Sequence, residues 1–571
     1  MRAERAILCL LFVTPLGRLA AQRAGSRDAG DGLADARHAV AALEHTRMLH
    51  LPRGAGQPGA ARPCPTRIGG MCHWPEDENA PPPPIADPAV AVARERALSL
   101  VASASREVPG NRWLEGQRVA LAVASGRKAQ AIAAARNCTS SAAWCAELAG
   151  YALDEAGDYT AADSAFGVAL RAMSAVDRCR WEDLSQLLQG ELARRYANAN
   201  CEVREGLASR VWWLAAPLYL AGDADARTDY YSRLVRARIA DLEPSGEPFG
   251  WNDDVRAVAV RYGWPVWYSQ DAPAPGAMLP PAVVGHERGG AYYFFPDARA
   301  VDSLAATDDA DWALDDPHAP AAYAPPYARS LHELPTRIAR FRRARDSMIV
   351  VAAWDGRGDS TLRGPGFRAG LFVGSAPDSM RSIERPDARS RGALWITVPA
   401  TGALVSVELL NDSTRRAARS RQGARPLAAR AFALSDLLLF ATDPNALSAR
   451  LDDAASGALA ATVDTSEVGV YWELYSTPDS EPVVDMRLSI EPVGASWLGR
   501  VAARLHIHPA PSALALHWRE RANGSGTTPR SLRLDLSGLR RGSYRLELTA
   551  NGASSGRQAS ASRDFVLAGG G

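Results

Sequence analysis

The sequence predicts an α-then-β, multi-domain chain in which a helical front is followed by two β-sandwiches. Three observations predict it. Apolar residues recur at helical spacing from about Pro88 to Leu234, and the period changes to two from Met348 onward. Past residue 21, every cysteine lies at or before Cys201, so the strand-rich rear is cysteine-free.

The first 21 residues read as an export signal. Arg2 and Arg5 form a basic start, Ala6 to Val13 an apolar stretch, and Leu19-Ala20-Ala21 a small-residue exit. The apolar stretch is too short for a bilayer, which needs about 20 residues, and no comparable segment recurs. Cys9 follows Ile7-Leu8, which speaks against a lipid anchor there. The expectation is a mature protein that is periplasmic, associated with the cell envelope or secreted, without a transmembrane segment. Cys64, Cys72, Cys138, Cys145, Cys179 and Cys201 then remain, and an even count in an exported chain favours disulfides. Pairing of nearest neighbours (64–72, 138–145, 179–201) is expected, because short loops close most readily. A zinc site needs tight ligand pairs, for which only Cys72-His73 is suggestive. The formal net charge of +1 supplies no field for nucleic acid or anionic lipid. The arginines crowded between Arg381 and Arg430 read as a solvated sheet face with loops.

Residues 22–85 are rich in Gly, Ala, Pro and Arg and end in Pro81-Pro82-Pro83-Pro84, which reads as a disordered tether with a helical patch at Ala34 to Met48. Residues 86–245 are read as helical, beginning with the alanine-rich stretch Ala89 to Ala104. The clearest unit is Trp144 to Met173: Gly150 early, a turn at Gly157-Asp158, then Ala162, Phe166 and Ala169 at steps of four and three. That spacing resembles a tetratricopeptide repeat, in which small residues let paired helices approach and an aromatic fills the gap. Val108 to Arg136 and Val211 to Leu234, with a turn at Gly222-Asp223, read as degenerate repeats before and after it. Stacked repeats would form a short array, and an ordinary α-hairpin bundle is an equal alternative.

From Trp212 to Tyr268 the chain is strongly aromatic. It carries Tyr230-Tyr231-Ser232-Arg233, then Gly250-Trp251-Asn252-Asp253-Asp254, then Val258-Ala259-Val260-Arg261-Tyr262-Gly263-Trp264-Pro265. This run resembles the GWxTD-domain family of exported bacterial proteins, whose pattern is Gly-Trp-x-Thr-Asp, an apolar strand and a Tyr-Gly-x-Pro turn. Asp253 stands where the family has Thr. The resemblance covers roughly Thr228 to Pro265, and a family without an established activity lends no catalytic residue. Trp251, Asp254 and Trp264 are the candidate binding residues: an indole and a carboxylate could line a groove for an extended peptide or glycan. The structural alternative has the rings packed in the core, with Asp254 capping a turn or pairing with Arg256 or Arg261.

Residues 246–345 comprise this segment and an irregular, Pro-rich, acidic connector with Asp308, Asp309, Asp311, Asp315 and Asp316, closed by a short helix at about Leu334 to Arg343. Strands are predicted at Met348–Ala353, Gly370–Gly374, Leu394–Val398, Leu404–Leu410 and Leu437–Phe440. A second set follows at Gly469–Tyr475, Val483–Ile490, Leu514–Arg519, Leu532–Leu536, Ser543–Ala550 and Asp564–Leu567. The sets look duplicated. Leu394-x-Ile396-x-Val398 precedes Gly402 and Val405 to Leu409, as Leu532-x-Leu534-x-Leu536 precedes Gly542 and Tyr544 to Leu548. Two immunoglobulin-like sandwiches, residues 346–445 and 446–571, are the expected architecture.

No catalytic constellation assembles in the sequence. Gly552 to Gly556 matches G-x-S-x-G formally, but a hairpin surrounds it and no histidine follows. His506 and His508 share a strand face and could start a metal site with His517; Asp309, Asp311, Asp315 and Asp316 offer hard oxygens without the glycine and glutamate of a calcium loop. Arg357-Gly358-Asp359 reads as a hairpin tip. No metal and no cofactor is therefore expected. The reading is an exported, non-enzymatic scaffold whose array and sandwiches bind envelope proteins or peptides. The alternatives are an exported hydrolase or metal-dependent enzyme with a cleft at Asp254, Asp309 and Asp311, and a purely structural envelope component.

Overall fold

The computed structural model describes residues 16–53, 66–68, 71–77, 79–222, 224–242, 251–270, 283–315, 319–343, 346–427, 430–442, 450–476, 483–493, 514–522, 526–553 and 556–568. The chain divides into two compact units, one within 1–76, 80–181 and 227–288, the other within 77–79, 182–226 and 289–571. Helices predominate up to Tyr262 and strands from Trp267 onward, with two short strands, Thr66–Ile68 and Met71–Trp74, between the first two helices. Cys64, Phe249, Gly250, Asp316, His506 and His508 lie outside the described residues, as do residues 1–15 of the segment expected to be an export signal.

The first unit starts with α1 (Leu16–Leu49), α2 (Pro88–Glu107), α3 (Arg112–Ala124), α4 (Lys128–Arg136), α5 (Ala142–Ala156), α6 (Tyr159–Ala172) and α7 (Ala175–Trp181). Side-chain caps open several of them: Asp87, Asn111, Ser141 and Asp158 each accept a backbone N–H of the first turn. Segment 22–85, expected as a tether, instead contributes a long helix. Ala36, Ala39, Val40 and Leu43 of α1 pack with Val90, Leu98 and Val101 of α2 and Trp113 of α3, so alanine spacing supplies a buried stripe where composition suggested disorder.

The α5–α6 hairpin rests on one close approach. Gly157 takes a left-handed φ of 90°, and a Cβ on Gly150 would fall 2.6 Å from the Phe166 ring. Ala162, Phe166 and Ala169 are all fully buried. Gly116 of α3 is similarly crowded, with Ile239 and Trp144 within 3.2 Å of the Cβ position. In the third expected pair, α9 (Cys201–Ala215) belongs to the second unit, together with α8 (Gly190–Ala197), whereas α10 (Asp225–Leu242) belongs to the first from residue 227.

After α10 the first unit has α11 (Asp253–Tyr262) and a four-stranded sheet, ordered β1 (Thr66–Ile68), β2 (Met71–Trp74), β4 (Val283–His286), β3 (Trp267–Gln270). The apolar run expected as a strand, Val258 to Tyr262, is therefore helical. Val255, Val258 and Ala259 recur at helical spacing and are buried, and Asn252 accepts from Val255 N at 3.0 Å to start the turn. Gly263, at φ 93°, ends the helix.

In the second unit, a connector with α12 (Ala298–Asp302) leads into the sheets. The first sandwich uses β5 (Ser330–Glu333), β6 (Thr336–Arg342), β7 (Ser347–Asp355), β8 (Phe367–Gly374), β9 (Arg381–Ala388), β10 (Arg391–Pro399), β11 (Ala403–Asn411) and β12 (Arg416–Ala424). Its sheets run β10-β7-β6 and β5-β12-β11-β8-β9, with β5 parallel to β12. Val350, Trp354, Leu371, Val405 and Leu409 fill the space between them. The short helix expected at Leu334 to Arg343 is β6, whose Ala339 and Phe341 are buried.

The second sandwich contains β13 (Phe432–Leu434), β14 (Leu438–Phe440), α13 (Leu451–Ser456), β15 (Thr462–Val463), β16 (Glu467–Ser476), β17 (Val483–Pro492), β18 (Leu514–Arg521), β19 (Gly526–Asp535), β20 (Gly542–Gly552) and β21 (Gln558–Leu567). Here β16 lies between β19 and the pair β13 and β14, opposite the sheet β15-β21-β20-β17-β18. From β16 onward the path repeats that of the first sandwich from β7, and each sandwich has a parallel pair, here β15 with β21. Before that point the order differs, because β15 follows β13 and β14 whereas β5 precedes β6. The repeated motifs occupy equivalent places: Leu394 to Val398 in β10 and Leu532 to Asp535 at the end of β19, with Leu536 just beyond it, then Val405 to Leu409 in β11 and Tyr544 to Leu548 in β20. Pro529 sits in β19, an edge strand, where its missing N–H is tolerated.

Two arginines inside the expected solvated stretch are instead buried. Arg421 Nη1 donates to Leu214 O at 2.8 Å, and Arg419 Nη1 donates to the carbonyls of Ala216 and Pro217 at 3.0 and 3.1 Å. They satisfy carbonyls at the α9 C-terminus, where positive charge is favoured. Glu408, fully buried, lies 3.5 Å from Arg421 and accepts from Leu220 N at 2.9 Å and Ser406 Oγ at 2.7 Å.

Candidate functional site

Two arrangements in the first unit bring chemistry-bearing side chains together. The first is a cleft of about 570 Å³ along α5, α6 and α10. Trp144, Trp181 and Glu147 form its buried wall, and Arg112, Arg238 and Asp241 line it further out. The Arg112 guanidinium lies 4.8 Å from the Trp144 ring centroid, and Arg238 lies 5.1 Å from that of Trp181. Trp144 Nε1 donates to Arg112 O at 3.2 Å, which holds α3 and α5 in register.

Glu147 is 1% exposed and accepts from Arg238 at 2.7 Å through Oε1. Its Oε2 and the Nε1 of Trp181 are buried with no hydrogen-bond partner among the described residues. Burial pushes the Glu147 carboxyl up to about 7, against the opposing pull of Arg238 and Arg112. Arg256 pairs with Asp241 at 3.4 Å, and Arg180 stands 4.0 Å from Asp177. Arg112 has no carboxylate within 4 Å among the described residues. Among the described residues that line the cleft it is the cation without an ion pair.

The predicted binding residues divide around this cleft. Trp251 and Trp264 stack with centroids 5.2 Å apart and planes 6° apart, and Arg236 covers Trp264 at 4.0 Å. Both rings are half-buried, so the fully packed alternative does not describe them. Trp251 Nε1 donates to Asp241 Oδ1 at 2.7 Å, which fixes one lining carboxylate of the cleft. Asp254 stays apart: it is exposed in the first turn of α11 and has no hydrogen bond or ion pair among the described residues. The cap it was expected to supply comes from Asn252.

The second arrangement was not legible in the sequence. Ser269 Oγ lies 2.7 Å from His286 Nε2, and His286 Nδ1 lies 2.6 Å from Glu76 Oε1. Burial holds the imidazole below its ordinary pKa, with Glu76 pulling the other way. A neutral ring beside a carboxylate carries its proton on Nδ1, leaving Nε2 to accept from the Ser269 hydroxyl. This is the order of a serine–histidine–acid relay. However, Ser269 is 2% and His286 0% exposed, and Trp267 stacks on the imidazole at 3.6 Å. As folded, the hydroxyl has no room for an acyl group and ties β3 to β4. Serine and histidine sit 17 residues apart and the acid 210 away, so only the pairing of β2, β3 and β4 reveals the group.

Elsewhere several of the expected ligands have structural partners. Cys138 is bonded to Cys145, and Cys72, Cys179 and Cys201 are disulfide-bonded too. Glu115 lies beside the Cys138–Cys145 bridge, but two sulfurs bonded to each other are not thiolate ligands. Asp308 and Asp311 form a reciprocal cap on a short 3₁₀ turn, and Arg299 binds Asp311 at 2.9 Å. His517 is exposed on β18. Arg357 pairs with Asp355 and Asp464, and Asp359 with His332. Asp254 belongs to the first unit and Asp309 and Asp311 to the second.

No family model and no curated protein matches the chain. Among solved structures, red sea bream transglutaminase is similar at 12% identity over 42% of this chain and 32% of that one, with a TM-score of 0.15. The chicken CNTN1 FN1–FN3 domains are similar at 11% identity over 41% of this chain and 66% of theirs, also with a TM-score of 0.15. This chain thus spans less than two thirds of either protein, and likenesses so slight bear on neither fold nor activity. Among the described residues, no helix is long and apolar enough to cross a membrane.

Proposed function

We propose that the protein is an exported, GWxTD-like binding protein of the cell envelope that holds a peptide segment in the α5–α6–α10 cleft. The observation that carries the reading is the cleft wall: two indoles, stacked guanidinia and an Arg112 free to take a carboxylate. A peptide backbone offers both donors and acceptors, complementary to Asp241 and Arg238 in the outer lining of the cleft. An acidic side chain nearby suits Arg112. Disulfides accord with an oxidising compartment. The helical region expected at residues 86–245 is read as tetratricopeptide-like, supported by the Gly150–Phe166 approach within the α5–α6 hairpin. The rear sandwiches are read as immunoglobulin-like. Their strand order supports this, as does Tyr544, which opens β20 and donates through its hydroxyl to Arg540 O at 2.6 Å, a tyrosine corner.

A peptide array probed with wild-type chain and with Arg112→Ala tests the reading. Wild type should favour acidic peptides, and the variant should lose that preference while keeping its helical circular dichroism. An array without sequence preference, or one indifferent to Arg112, would remove the proposal. A hydrolase is the second reading, favoured by the Ser269–His286–Glu76 geometry. It requires Ser269 to be reached by a fluorophosphonate, and the burial of both Ser269 and His286 leads us to expect no labelling.

A further inference from the structure

A separate cavity of about 610 Å³ lies in the second unit, where the connector and both sandwiches meet. Its charges do not balance. Arg340 is held by Asp436 through two bonds of 2.7 and 2.9 Å, Asp564 by Arg545 at 2.7 and 2.8 Å, and Arg299 by Asp311. Arg337, Arg425 and Arg563 also line the cavity and have no carboxylate within 4 Å among the described residues. Asp308 lies 3.7 Å from Arg299, which leaves Asp309 as the lining acid without an ion pair among the described residues.

Arg563 is 7% exposed. Its terminal nitrogens donate to Leu437, Leu459 and Ala460 carbonyls at 3.1, 2.7 and 3.3 Å, while its Nε is buried without a hydrogen-bond partner among the described residues. Arg425 Nε donates to Ala305 O at 3.0 Å and Arg337 Nη1 to Thr336 O at 3.1 Å, so both side chains are anchored by neutral acceptors. Burial, reinforced by Arg337 and opposed by Asp436, lowers the Arg563 guanidinium to about 10. A buried cation repelled by a neighbouring cation gains from a bound anion.

We propose that this cavity binds a small multivalent oxyanion, held by Arg337, Arg425 and Arg563. The shared chemistry is negatively charged oxygen presented to planar guanidinium forks.

The test is isothermal titration of the full chain with inorganic phosphate and, separately, with citrate, at constant ionic strength against chloride. Saturable heat with one or both is expected, and the stronger arm distinguishes phosphate-bearing from carboxylate-bearing ligands. Arg337 and Arg425 are at least partly exposed, so an Arg337→Ala/Arg425→Ala chain should fold normally. It should bind at least about tenfold more weakly. Neither anion binding above chloride, or equal binding by the folded variant, would overturn the proposal.

Discussion

Glu147→Gln should flatten the pH dependence of stability, by an amount set by the carboxyl's displacement. A glutamate ordinarily ionises near 4.5, whereas Glu147 in the cleft wall ionises near 7 because burial penalises its charge. Between these values the unfolded chain has lost the proton and the folded chain keeps it. Folding therefore takes up a proton. The stabilisation is complete below pH 4.5 and drains away as pH rises through 7. At about 1.4 kcal/mol per pH unit, the full loss is about 3 kcal/mol. Asp154 and Asp225, also raised by burial, slope in the same direction in both proteins and cancel in the difference. Urea unfolding of wild type and variant from pH 5 to about pH 8.5 measures that difference. The wild-type advantage should shrink by most of about 3 kcal/mol across this range. Parallel pH curves would show that Glu147 is ionised throughout and that the cleft wall is wetter than described.

Arg421→Ala should destabilise the second unit by about 3–5 kcal/mol, because it strands the buried Glu408 and the α9 carbonyl of Leu214; chemical denaturation reads the loss. Gly150→Val should cost about 1–3 kcal/mol through collision with Phe166, with partial recovery on adding Phe166→Leu; a full double-mutant cycle checks the coupling. Ser269→Ala should cost about 1–3 kcal/mol by leaving His286 Nε2 unpaired, whereas a fluorophosphonate should leave the wild-type serine unmodified.

Elements whose side chains alternate or recur with large apolar residues were legible in the sequence. β7, β11, β16 and β20 are of this kind, as is the α5–α6 hairpin, where Gly150, Gly157 and Phe166 each have one geometric role. Elements whose burial depends on distant partners were not. β9 is exposed along seven of its eight residues, so it carries no apolar period. β12 buries Arg419 and Arg421, charges that only α9 carbonyls and Glu408 make tolerable. β6 starts with Thr-Arg-Ile-Ala-Arg, which suits a helix as well as a strand until sheet pairing decides. At the candidate site, Trp251 and Trp264 were legible as an aromatic cluster. Glu147, Arg112 and Trp181 were not, because their meeting requires α3, α5, α7 and α10 to be assembled first.

Placing a photo-crosslinking p-benzoylphenylalanine at Met173, a half-exposed lining position of the cleft, addresses the binding role most directly. Irradiation in envelope extract should attach peptide segments rich in acidic residues at position 173. The same probe at Val92, which is 70% exposed on α2 and outside the cleft, should attach none of them. Identical adducts at both positions, or none at 173, would contradict a peptide-holding cleft.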